Sequence, residues 1–415
     1  MRALPLFALV FIFSTASAAI DVNWVPEDLP PLPTTENVGL GNYLKPEQGK
    51  AVLDAALTRF PDQVSWDAYA AHVRQRIQEG SGLLPWPKRT PLNAVIRDRR
   101  VYDGYTVENV CFESVPGYLV TGNLYRPTDA KPPYAAMLST HGHARAIVKP
   151  EDYDNHARFS PGMQARCATL ARMGAVVLSI DMFAYGDSIQ LFGQAAHKQP
   201  FAFKIQLWNA MRAIDFLLEQ DGVDPKRVGV SGESGGGTQS FMLTAFDSRI
   251  AVSVPVVMVS SYFFGGCACE SGLPTHRSAD HFVSNAMIAA LAAPRPMLVV
   301  SNGEDWTQHV PEIEFPFLKK IYGYYGAEQN VANVHLPTEG HDYGPSKRDA
   351  MYRFVARRLG LNLAAVVTAD GRIDESHATI EKASALHVFT ADFPIPPDAL
   401  HDAAAIERTF SDLQN

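Results

Sequence analysis

Residues 228–240 read VGVSGESGGGTQS. An apolar run, RVGVS, meets a serine at 234 and three glycines directly after it. Such a stretch serves either as a phosphate cradle or as a tight turn that presents a nucleophile. A phosphate loop of the form G-x4-G-K-[ST] needs its lysine to neutralise the phosphate. Gly232 and Gly237 have that separation, but Thr238 stands at the lysine position. The G-x-G-x-x-G pattern is missing from the stretch as well. Gly232-Glu233-Ser234-Gly235-Gly236 instead matches G-x-S-x-G, in which a serine rides a strained strand-to-helix bend between two crowded small residues. A strand-like run precedes it and a helix-like run, TQSFMLTAF, follows. Chance alone gives roughly one such match in eight chains of this length. The partners must carry the rest.

An elbow serine needs a base in hydrogen-bond reach and a carboxylate that orients the base. In this context the chain order is Ser, then Asp or Glu, then His. Downstream, PMLVVSN runs into GEDWT, which offers Glu304 and Asp305; VANVHLP runs into TEGHDYG, which offers His341. The Asn302-Gly303 turn favours Asp305, with Glu304 as the alternative. Two backbone N–H groups must hold the developing oxyanion. Gly235, next after the serine, supplies one. The other comes from the loop after AAMLST, His141-Gly142-His143, through His143 or Ala144. The same loop raises a metal reading with His141, His143 and His156 as ligands. No H-E-x-x-H and no carboxylate cluster accompanies it, so no metal and no cofactor is expected. Asp181 closes the strand AVVLSID and reads as a loop-bracing carboxylate. No S-x-x-K occurs in the chain, which excludes a β-lactamase-type serine.

The surroundings alternate. YTVENVCFE and YLVTGNLYRP read as paired strands, and AAMLST, AVVLSID, RVGVS, IAVSVPVV, PMLVVSN and VANVHLP read as further strands with helices between. The last helix carries Met351, Phe354, Val355 and Leu359. Strand–helix alternation means a mostly parallel sheet covered on both faces, with chemistry at the carboxyl ends of the strands. Before it lie two amphipathic helices. One runs near Pro46–Phe60; the other follows an N-cap at Ser65 and carries Trp66, Tyr69, Val73 and Ile77. The organisation is thus 1–18 signal peptide, 19–100 helical extension, 101–360 catalytic domain and 361–415 C-terminal extension.

Composition sets the boundaries of function. A formal net charge of −8 argues against a nucleic-acid partner. Arg2, the short apolar run ALPLFALVFIF and Ala16-Ser17-Ala18 read as a cleaved export signal, too short to span a bilayer. The mature chain is expected to be secreted or periplasmic, without stable membrane insertion. Its four cysteines, Cys111, Cys167, Cys267 and Cys269, read as buried thiols or one structural bridge.

These residues resemble an α/β-hydrolase of the acetyl xylan esterase-like, dienelactone hydrolase-related group. The resemblance runs through VPGYLVTGNLYRP, HGH, GVSGESGGGTQ, GGCACE, APRPMLVVSNGEDWT and EGHDYG. It implies an α/β-hydrolase fold and a serine esterase, and it places the acid and base on Asp305 and His341. The G-C-S-R-x-G-K element of glucuronoyl esterases is lacking, which sets that relative apart. The implied substrate is a carboxylic ester, acetyl esters on carbohydrates above all, cleaved through an acyl-enzyme. The alternatives are a prolyl-oligopeptidase-like peptidase and a non-catalytic carbohydrate-binding protein on the same fold. The loop SYFFGGCACESGLPTHR should wall the pocket, with Tyr262, Glu270 and His276 as candidate substrate contacts.

Overall fold

The computed structural model describes residues 20–30, 41–272 and 275–415; the expected signal peptide lies outside them. The apolar runs pair into a sheet of nine strands: β1 (Val95–Tyr102), β2 (Tyr105–Val115), β3 (Tyr118–Pro127), β4 (Tyr134–Thr140), β5 (Ala175–Ile180), β6 (Val223–Glu233), β7 (Val252–Val256), β8 (Met297–Asn302) and β9 (Val331–Leu336). Their spatial order is β9-β8-β7-β6-β4-β5-β3-β2-β1. The six strands from β4 to β9 are parallel, and β1, β2 and β3 form an antiparallel edge. This is the α/β-hydrolase fold.

Alternation along each strand builds two cores. Ala136 and Leu138 of β4 face one side, with α4 (Ala202–Leu218), α5 (Gly235–Phe246) and α6 (Glu314–Tyr324). Ala135 and Met137 face the other, with α3 (Pro161–Arg172) and α7 (Pro345–Leu359). The inner parallel strands β5, β7 and β8 are buried on both faces, which is why they read as continuous apolar runs.

Helices α1 (Pro46–Arg59) and α2 (Gln63–Ser81) join the first core through Leu53, Ala56, Trp66 and Val73. The cap of α2 is Asp62, whose carboxylate accepts from the Ser65 amide at 2.9 Å, so Ser65 lies inside the first turn and is not itself the cap. Strand β1 straddles the expected boundary at residue 100. Its charged sequence, VIRDRRVY, hides it from a period-2 reading and suits an unpaired outer edge. The C-terminal segment straps both faces: Leu386 enters the second core, while Ile406 and Phe410 enter the first. Among the described residues, no helix is long and apolar enough to cross a membrane.

Candidate active site

The carboxyl ends of five parallel strands come level. Thr140 of β4 pairs with Gly232 of β6, Glu233 with Val256 of β7, Val256 with Val300 of β8, and Asn302 with Leu336 of β9. Ser234 follows β6 directly and sits at φ 53°, ψ −121°. That conformation costs a non-glycine residue on the order of 1–3 kcal/mol and persists only where its surroundings enforce it. Here the Ser234 amide donates to Val256 O at 3.1 Å, and the Thr238 amide donates to Ser234 O at 2.9 Å. A Cβ at Gly232 would lie 2.7 Å from the Gly236 carbonyl, and one at Gly236 would lie 2.9 Å from His141 O, so both positions must stay bare. Gly237 is small for packing, because its α-carbon faces Met258 and Val256. Ser234 caps α5, whose first amides have no intrahelical partner and carry partial positive charge beside the hydroxyl.

Asp305 and His341 lie on the loops after β8 and β9, where His341 Nδ1 stands 2.7 Å from Asp305 Oδ2. Asp305 Oδ1 accepts from the Thr307 amide and hydroxyl, both at 2.6 Å. Burial works against the Asp305 carboxylate, but hydrogen bonds from His341 and Thr307 outweigh it and hold its pKa below the usual range. Glu304 is exposed. Trp306 lies under the His341 ring at 4.5 Å and stacks on Phe263 at 3.8 Å. The Tyr343 hydroxyl meets Ser231 Oγ at 2.6 Å, tying the His341 loop to the elbow strand. The buried Lys347 ammonium holds that loop from below through Gly340 O at 2.9 Å and Asp342 at 2.7 Å. No hydrogen bond joins Ser234 to His341 among the described residues. Such contacts commonly tighten only around substrate.

The loop after β4 lies on the elbow. A Cβ at Gly142 would stand 2.9 Å from Ser234 Cβ. The Gly142 amide donates to Glu233 Oε1 at 3.1 Å, and Glu233 Oε2 pairs with the buried Arg166 guanidinium at 2.9 Å. Arg166 also donates to Thr140 O at 2.8 Å. Glu233, the variable position of the motif, is therefore the brace between elbow and loop. The Ala144 amide faces the Tyr185 hydroxyl. Of the three amides from 142 to 144, that of His143 is left without a hydrogen bond among the described residues.

Asp181 is buried and accepts from Thr121 Oγ1 at 2.7 Å and the Asp187 amide at 2.9 Å, with Arg158 Nε at 2.9 Å. It braces the loop after β5. The loop candidates for substrate contact fare differently. His276 is fully buried, with Asn285 Oδ1 on Nε2 at 2.9 Å and Phe264 stacked on its ring. Tyr262 is also buried, its ring 6.1 Å from that of His309. Glu270 is buried and accepts from the Gly266 amide at 2.9 Å. An open cleft of about 830 Å³ is lined by the loop after β4, His141 to Ala144, together with Arg145, Lys149, His156 and Glu233 among others. Arg145 and Lys149 carried no motif, so the sequence offered no signal for them.

All four cysteines are free thiols, so no structural bridge forms. Two of them enter an arrangement that the expected absence of a metal did not anticipate. His143, His197, Cys267 and Cys269 bring one donor atom each within 4.8 Å of one another. His141 and His156 stand apart, each with Nδ1 on a backbone carbonyl, Gly142 O at 2.8 Å and Arg145 O at 3.0 Å. Burial pushes the His141 pKa down to about 3, so it is a neutral link that accepts the Met182 amide at 3.1 Å.

Comparison with known proteins gives the kinship of the chain. The family model for fungal glucuronyl esterases matches residues 186–269, which span the elbow, even though G-E-S-G-G-G-T stands where G-C-S-R-x-G-K was sought. The chain is 38% identical to the solved methylesterase BT1017, with a TM-score of 0.78, covering 90% of this chain and 82% of that one. It is 26% identical to a 4-O-methyl-glucuronoyl methylesterase of Neurospora crassa over 208 residues, 42% of this chain and 51% of the relative. It is 25% identical to mouse dipeptidyl peptidase 8 over 271 residues, 61% of this chain and 29% of the relative. With a serine elbow, an Asp–His pair and this kinship along nine-tenths of its length, the chain belongs to the acetyl xylan esterase-like α/β-hydrolases, a group of carbohydrate esterases.

Proposed function

We propose that the protein is an exported serine esterase acting on carbohydrate esters, with Ser234 as nucleophile, His341 as general base and acid, and Asp305 as the orienting carboxylate. The carrying observation is the elbow geometry of Ser234 at the end of β6, with the 2.7 Å His341–Asp305 contact two strands away. His341 takes the Ser234 proton as Oγ attacks the ester carbonyl. The amides of Gly235 and His143 receive the oxyanion at the N-terminus of α5. His341 then protonates the departing alcohol and activates water against the acyl-enzyme. Asp305 fixes the imidazole tautomer and stabilises its cation. Arg2, the apolar run after it and the small residues at 16–18 support export.

The acyl group is a sugar carboxylate and the alcohol is methanol. The support is the 38% identity to a methylesterase, against the acetyl ester expected from sequence. A sugar on the acyl side needs room beside the oxyanion loop, which the 830 Å³ cleft offers. The test compares a methyl-esterified oligouronide, an acetylated xylo-oligosaccharide and a proline-containing peptide anilide. Methanol release by the wild type, absent in Ser234→Ala, is the expected result. Preferred release of acetate restores the acetyl reading. Anilide cleavage without ester cleavage makes the protein a peptidase.

A further inference from the structure

The four gathered donors come from three separate segments. His143 belongs to the oxyanion loop, His197 to the short 3-10 turn Gln194–Lys198, and Cys267 and Cys269 to the loop after Phe263–Gly265. His143 Nε2 lies 3.1 Å from His197 Nε2 and 3.2 Å from Cys269 Sγ, and His197 Nε2 lies 3.1 Å from the same sulfur. The outer ring nitrogens show what the inner ones are doing. His197 Nδ1 donates to Phe183 O at 2.6 Å, and His143 Nδ1 faces Glu270 Oε1 at 3.4 Å. With protons on both Nδ1 atoms, the two Nε2 lone pairs point at one another and at a thiol sulfur. A single proton would satisfy one edge of that triangle. A cation at its centre satisfies every donor at once.

We infer that His143, His197, Cys267 and Cys269 form a tetrahedral zinc site that fixes the oxyanion loop. Zinc–nitrogen bonds of about 2.0–2.1 Å and zinc–sulfur bonds of about 2.3 Å give tetrahedral edges near 3.3 Å between nitrogens and near 3.6 Å from nitrogen to sulfur. The three edges among His143, His197 and Cys269, at 3.1–3.2 Å, are shorter than these, and the Cys267 sulfur lies within 4.8 Å of the other three donors, so a bound cation would open the triangle and draw the fourth donor in. Two imidazoles and two thiolates are the donor set that selects zinc over magnesium or calcium. The carbonyl on His197 and the carboxylate on His143 are the outer partners that orient metal-bound histidines. Four protein ligands close the site, so the metal is structural and leaves no position for substrate or water.

The site abuts the elbow. A Cβ at Gly235 would lie 3.2 Å from both His143 Cε1 and Glu270 Oε1, so the metal-held ring packs on the residue after the nucleophile. Fixing the His143 ring fixes its backbone N–H. That consequence for catalysis rests on the proposed esterase mechanism; the metal site itself does not.

The test measures metal on the full-length mature protein and on Cys267→Ser, His197→Ala and Ser234→Ala. One zinc per chain in wild type and in Ser234→Ala, lost in the two ligand variants, is the expected result. Replacement by cobalt(II) should give the intense visible bands of a tetrahedral site with thiolate-to-metal charge transfer. This readout uses the wild type alone and survives a ligand variant that fails to fold. Removal of zinc by a chelator should lower kcat at least tenfold with KM little changed, and added zinc should restore it. Wild-type protein that is folded and metal-free, gives no tetrahedral cobalt spectrum, or shows a Cys267–Cys269 disulfide by mass overturns the site. Zinc present, with chelation leaving kcat intact, overturns only its role in positioning. Full activity in Ser234→Ala overturns the esterase mechanism and leaves the metal site standing.

Discussion

The Gly142 amide donates to Glu233 Oε1 at 3.1 Å, so the residue before Ser234 holds the loop that faces it. Arg166, at 2.9 Å from the other carboxylate oxygen, holds the Glu233 side chain in place. Replacing Glu233 by Ala frees the loop and leaves the Arg166 guanidinium without its carboxylate. Misplacing an oxyanion donor by about 1 Å costs about 10²-fold in rate. Glu233→Ala is therefore expected to lower kcat by about that factor with a smaller change in KM. Steady-state kinetics on a methyl-esterified oligouronide checks the split; an unchanged kcat would refute the brace.

Asp305 Oδ2 lies 2.7 Å from His341 Nδ1, and in the proposed mechanism this contact sets the His341 tautomer. In Asp305→Asn the amide can donate to His341 Nδ1 and move the ring proton to the wrong nitrogen. A loss of about 10⁴ in kcat is expected, by analogy with the same change in serine proteases. Glu304→Gln, on an exposed side chain, should retain more than half of the activity. Equal losses in the two variants would remove Asp305 from its assigned role.

Arg158 and Asp181 form a fully buried pair at 2.9 Å beneath the loop after β5. Asp181→Ala strips the guanidinium of one carboxylate and leaves Thr121 and the Asp187 amide without an acceptor. Breaking a buried pair from one side costs about 3–5 kcal/mol. Urea denaturation should show a loss of that size. A loss under 1 kcal/mol would mean that the network rearranges around Asp187.

Burial raises the Glu314 carboxyl to about 6, above its ordinary 4.5, although Ser261 donates to it from both amide and hydroxyl. The folded state then binds this proton more tightly than the unfolded state. Its contribution to stability is full below about pH 4.5 and is lost as pH rises through about 6. Glu314→Gln cannot titrate. The stability of the variant relative to wild type should therefore rise by about 2 kcal/mol between pH 4.5 and pH 7, from 1.36 kcal/mol per unit. Denaturant midpoints at the two pH values measure it, and a pH-independent difference would contradict the assignment.

Much of the fold was legible because the inner parallel strands β5, β7 and β8 are buried on both faces and the strands are separated by helices of clear periodicity. The charged edge strand Val95–Tyr102 was not, since an edge has one solvated side and carries no apolar run. The elbow, Asp305 and His341 were legible because each follows a strand directly, and parallel register brings strand ends level wherever they fall in the chain. Glu233 was unreadable for the opposite reason: its partners, Gly142 and Arg166, lie 91 and 67 residues away.

The sequence by itself determined the sheet, the tight turn at Ser234 and the strand ends on which Asp305 and His341 sit, because local pattern and strand-to-helix geometry suffice for each. Only the tertiary structure decided what the loops do. It packed His276 out of solvent against Asn285 and Phe264 and opened the cleft beside Arg145 and Lys149. It also brought His143 and His197 to Cys267 and Cys269, whose one-residue spacing signals nothing alone. A metal site depends on where side chains from distant loops converge, and that is set by the packing of the whole chain, not by any stretch of it.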